Sequence, residues 1–69
     1  MELTHTDTVD AENVTAGDNI EVYDAEAQKY VIETVTSVEP DSDDWVAIHT
    51  EENPEGWGFY WDEQIKLFL

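Results

Sequence analysis

The chain has no cysteine and no arginine, two lysines, three glycines, two prolines and two histidines in 69 residues. Each shortage removes a class of explanation. Without cysteine there is no disulfide framework, no thiolate zinc site and no cysteine nucleophile. Without arginine, and with only Lys29 and Lys66 as cations, the chain lacks the contacts whose counterion release drives binding to phosphate backbones or anionic lipids. The glycines are scattered, so no glycine-rich phosphate loop is present. No apolar run is long enough to span a membrane, and the opening Met1-Glu-Leu-Thr-His-Thr-Asp-Thr-Val-Asp10 has neither the basic start nor the apolar stretch of a secretory signal. The expected address is cytoplasmic.

What the chain has in excess is negative charge. Eighteen Asp and Glu give a formal net charge of −16. Like charges on a small body oppose the compact state in dilute buffer, and that opposition weakens as the Debye length falls to about 3 Å near 1 M salt. In this balance the chain resembles the cytoplasmic proteins of salt-accumulating haloarchaea, and the resemblance implies folding in concentrated salt. Length permits one domain with one small core, because a chain this short buries only about 60% of the surface its unfolded form exposes.

Residues 1–12 are polar, with Leu3 and Val9 as isolated apolar groups, and are expected to form a flexible acidic arm ahead of a folded domain over 13–69. Within that domain, short β-branched and aromatic runs alternate with clusters of Asp, Glu, Pro, Gly and Asn, and no segment keeps helical spacing. Five strands are predicted, at Asn19–Tyr23, Lys29–Val38, Trp45–Thr50, Trp57–Trp61 and Ile65–Leu69. The second changes its apolar phase midway, which predicts a bulge. Gly17 supplies positive φ for the turn into the first strand, and Asp18 can bond back to the backbone there. Residues 62–64 have room for a single 3-10 turn.

Five short strands, a long bent second strand and a helical turn before the last strand resemble the layout of the Src-homology-3-like small barrel. The opening Val14-Thr-Ala-Gly-Asp-Asn-Ile-Glu-Val22 is similar to the first strand of small barrels in translation and transcription factors. The fold class this implies is all-β: a small five-stranded antiparallel barrel with one 3-10 turn before the last strand. Against the peptide-binding members, Trp45 falls where the groove tryptophan stands. However, no long loop follows the first strand, and Trp61 falls where the groove proline is expected, so recognition of proline-rich ligands is not implied.

The acidic turn Glu39, Asp41, Asp43 and Asp44 has the oxygen ligands a hard cation wants, but counting a calcium loop from Asp41 puts Trp45 and Val46 at its fifth and sixth positions, where an oxygen ligand and glycine belong. It reads as a solvated hairpin tip. His5 and His49 have no partner at metal-ligand spacing. Ser37 and Ser42 lack a paired base in sequence, and carboxylates are too abundant for any pair to stand out. No catalytic residue, metal site or cofactor is expected.

Eight aromatic residues exceed the needs of so small a core. Strand parity puts Val46 and Ile48 inward with Trp45 outward, and Trp57, Phe59 and Trp61 on one face with Tyr60 on the other. Tyr23, Trp45 and Tyr60 are therefore the candidate interaction patch, suited to a peptide, a cationic side chain or a second copy of the chain. The leading expectation is a non-enzymatic protein-interaction module whose partner is another protein or itself. The alternatives are a barrel that stacks single-stranded nucleic acid in high salt, and an acidic mimic of nucleic acid that occupies a basic protein.

Overall fold

The computed structural model describes residues 4–69 and is all-β, with six strands and one short 3-10 turn. The strands are β1 His5–Asp10, β2 Asn19–Asp24, β3 Lys29–Pro40, β4 Trp45–Thr50, β5 Trp57–Tyr60 and β6 Gln64–Phe68. They form one antiparallel sheet in the order β1-β6-β2-β3-β4-β5.

Three expectations need correction. Six strands replace five, because His5–Asp10, within the segment read as an arm, pairs with β6 from His5 opposite Phe68 to Asp10 opposite Gln64. The sheet is open and not a closed barrel: β1 and β5 are its edges. They approach at one corner, where Ala11 N–H donates to the Glu63 carbonyl (2.9 Å) and Glu12 N–H to the Trp61 carbonyl (3.1 Å). The 3-10 turn lies at Ala11–Asn13, directly after β1. Residues 60–63 instead make a simple turn closed by Glu63 N–H on the Tyr60 carbonyl.

The long strand β3 serves both halves of the sheet. Its first part pairs with β2 and its last part with β4, and a register shift between Val35 and Ser37 separates them. Before that bulge Val31, Glu33 and Val35 face the interior; after it Val38 does. The extra residue re-phases the strand while the sheet bends. The bend lets Ile20 and Val22 of β2, Ile65 of β6, and Val46 and Ile48 of β4 join Ala11, Val14 and Val35 in one aliphatic core. Trp57 and Phe59 pack against it from β5. Gly17, at φ 95°, turns the chain into β2, where Gly17 N–H and the Asp18 carbonyl both bond to Val35, and Asp18 accepts from Thr15 N–H at 3.0 Å.

One core position breaks the apolar rule. Glu33 is 8% exposed, and its Oε1 accepts hydrogen bonds from the Thr50 hydroxyl (2.7 Å) and the Trp57 indole N–H (2.8 Å). A buried carboxylate is tolerated when donors replace water. Here they come from β4 and from β5, so Glu33 ties three strands together through one oxygen.

A candidate interaction groove

The groove is built at the corner where the β3–β4 turn, the end of β5 and the 3-10 turn meet. The acidic turn closes on Trp45, whose carbonyl accepts from Asp41 N–H (3.0 Å) and Ser42 N–H (3.3 Å). Trp45 is then the first residue of β4, with its side chain outward because Val46 and Ile48 take the core side. Its cross-strand partner is Tyr60. The two rings stack with centroids 4.2 Å apart at 26°, a contact worth about 0.5–1.5 kcal/mol beyond its buried area. Trp61 follows at the end of β5, its N–H on the Asp44 carbonyl and its carbonyl on Glu12 N–H, both at 3.1 Å. The three rings stand on backbone fixed by hydrogen bonds.

Beside Trp45 and Trp61 lies a cavity of about 370 Å³ lined by Glu12, Pro40, Ser42, Asp43, Trp45, Val46 and Trp61. Val46 belongs to the core cluster, so it links this cavity to the core. Trp45, Tyr60 and Trp61 remain 38%, 52% and 43% exposed. Strand parity puts Trp61 on one face with Trp57 and Phe59, both of which pack against the core. Strand parity fails for it because β5 ends at Tyr60 and the chain has already entered a turn.

Of the predicted patch, Trp45 and Tyr60 come together and Tyr23 does not join them. Tyr23 pairs with Tyr30 across β2 and β3, ring edge to face at 5.1 Å and 73°. Tyr30 lies near the start of β3, whereas Trp45 follows the turn at that strand's far end. Sequence reasoning missed Trp61 and Glu12 as groove walls, and it missed Glu33. Only Glu33 had a local signal, since it alternates with Val31 and Val35.

The other candidates stay local. His5 Nε2 lies 2.9 Å from the Asp7 carbonyl and 3.1 Å from Thr8 Oγ1. His49 Nδ1 lies 2.9 Å from the Pro54 carbonyl, its Nε2 is 4.0 Å from Glu39, and its ring packs so closely on Gly56 that an added Cβ would sit 3.0 Å away. Gly56 also has φ 96°, so glycine is required there twice over. Among the described residues no three His, Asp or Glu side chains converge on a metal-sized site, and no helix is long and apolar enough to cross a membrane. A second cavity of about 360 Å³ lies beside Glu33 and Trp57, bordered by Asp24, Glu26 and Glu52. Two of these acids are already engaged: Asp24 accepts from the Glu26 and Ala27 amides, and Glu52 from Thr34 N–H.

Comparison of the chain with protein-family models, curated proteins and solved structures finds no match.

Proposed function

We propose that the chain is a non-enzymatic protein-interaction module that docks through the groove of Trp45, Tyr60 and Trp61. The observation that carries this reading is the placement of two exposed indoles, Trp45 stacked on Tyr60 and Trp61 held by its backbone, at one cavity, while the core beneath is filled by aliphatic residues. Exposed indoles cost solubility unless something covers them, and aromatic anchors in a concave site are what protein interfaces select. The carboxylate surface keeps the module dispersed, and in concentrated salt apolar contact outlasts screened charge. On this reading the protein is halophilic and cytoplasmic. Its fold strengthens as potassium chloride rises from roughly 0.1 M towards 3 M, which tryptophan fluorescence and circular dichroism would follow.

The test is affinity purification of the tagged full chain in roughly 2 M potassium chloride, identification of what is retained, and re-measurement with purified components. The expected result is a partner, or a second copy, whose binding is lost in Trp45→Ala and kept in Tyr23→Ala, with circular dichroism unchanged. A partner held equally well by both variants would sink the groove as the docking surface.

A further inference from the structure

We propose that the groove receives an arginine side chain from an extended segment of the partner, its guanidinium lying against the indoles of Trp45 and Trp61 and its N–H groups reaching the carboxylates of Glu12 and Asp43. This rests on the docking reading above and gives it a chemistry.

The walls specify the guest. Two indoles and the Pro40 ring offer flat apolar surface, and the only charged groups lining the cavity are Glu12 and Asp43. Among the described residues no cation answers them: the ion pairs there are His49 with Glu39 and Lys66 with Glu21, neither of which involves Glu12 or Asp43. A guest that is apolar on its faces and cationic at its edges satisfies both halves of the site. Guanidinium has that form, being planar, weakly hydrated and able to stack on a ring while donating in its own plane. The lysine ammonium is a compact, strongly hydrated charge and gives up more on entering such a cleft. The volume falls within the range of small-ligand pockets, enough for one side chain and short of a folded element.

Tyr60 has a distinct part in this arrangement. It stacks on Trp45 but does not line the cavity, so it is a positioning residue that holds the indole from behind. Trp61 is held by its backbone on both sides. A preformed cleft spares the partner the entropy of ordering it.

Any basic peptide will be drawn to a surface of charge −16, so the test must separate a site from a field. Three blocked heptapeptides of Gly and Ser, carrying a central Arg, Lys or citrulline, are titrated into the full chain and followed by NMR shifts of backbone and indole N–H groups. The titrations are done at the lowest potassium chloride concentration at which circular dichroism shows the chain folded and again at about 1 M above it, where attraction beyond roughly 3 Å is screened. The expected result is that the Arg peptide shifts the Trp45 and Trp61 signals at both salt concentrations and the Lys peptide binds several-fold more weakly. The citrulline peptide, of nearly the same shape without the charge, does not bind. Trp61→Ala weakens the Arg peptide roughly tenfold, and so does the isosteric pair Glu12→Gln with Asp43→Asn, which leaves packing intact. Tyr23→Ala changes nothing.

Arg binding that is equal in the groove variants, or that vanishes at the higher salt concentration, overturns the inference in favour of diffuse attraction. Citrulline binding as tight as Arg overturns it while leaving the docking reading standing, because the groove would then select shape without charge. If no peptide moves the groove signals the arginine assignment falls, and the docking reading is judged separately by whether the purified partner still depends on Trp45.

Discussion

Trp57 opens β5 opposite Ile48, while Trp45 pairs with Tyr60 at the other end of that strand and Trp61 follows it, yet the molecule uses Trp57 and the other two indoles in opposite ways. Trp57 packs on the core with its indole N–H given to Glu33. Trp45 and Trp61 stand over a cavity, supported from behind by Tyr60 and by the backbone, with more than a third of each exposed. Inside, the polar handle of the ring is spent on holding strands together. Outside, the ring is held and its surface is left unspent. The difference shows that abundance of aromatic residues is not itself a functional signal; what counts is whether a ring supports its neighbours or is supported by them.

The comparison is broken most severely at its interior half. Glu33→Ala leaves the Thr50 hydroxyl, 1% exposed as a residue, and the Trp57 N–H without their acceptor. Charge-assisted bonds and abandoned buried donors put the expected loss at about 2–4 kcal/mol, or some 10 °C or more in melting temperature for a domain of this size. Glu33→Gln keeps a carbonyl acceptor in place and should lose clearly less. Chemical denaturation of both variants checks the claim: equal losses would mean that a neutral carbonyl of the same size cannot stand in for the carboxylate, and a Glu33→Ala loss below about 1 kcal/mol would mean that its hydrogen bonds contribute little.

A smaller effect is expected at the exterior half. Trp45→Ala and Tyr60→Ala each remove one member of the stack, and their double-mutant cycle should give a coupling of about 0.5–1.5 kcal/mol. In the same variants partner binding should fall far more than stability does, because a supported ring is there to be covered. Were the loss of binding to follow the loss of stability step for step, the groove would be a cap on the barrel-like corner, and the contrast with Trp57 would disappear.

The strands β2 to β6 were legible in the sequence within a residue or two, and so was the bulge, because each is written in a local pattern of alternation and turn residues. β1 was not legible for the same reason. Of His5–Asp10 only Val9 and Asp10 are partly buried, so the strand has almost no apolar alternation to read. It exists through hydrogen bonds to β6, more than fifty residues away. Whether the sheet closes is non-local in the same sense, since it depends on how far β1 and β5 extend along their shared corner. For the groove, parity gave the outward side of Trp45 and Tyr60 correctly. It could say which face a residue takes but not which end of a bent sheet, and so it grouped Tyr23 with them. Trp61 was misplaced because parity holds only while the strand continues.

Tyr23 therefore provides the finest discrimination. Tyr23 and Tyr30 are 49% and 65% exposed, both more than Trp45 and Trp61, and they too are a cross-strand ring pair, here in edge-to-face contact. What they lack is concavity: they rise from the outer face of the β2–β3 hairpin, with Ile32 exposed on the same side. Cross-strand pairing of this kind is worth about 0.2–1 kcal/mol, so Tyr23→Ala should lower stability by no more than that, and Tyr30→Ala by a similar amount with the pair less than additive. Neither should alter binding at the Trp45 groove. If Tyr23→Ala weakened the partner as much as Trp45→Ala, the interface would have to extend along the whole of β3, and the distinction between a held ring and an exposed one would need to be drawn by the partner's shape instead of by the groove.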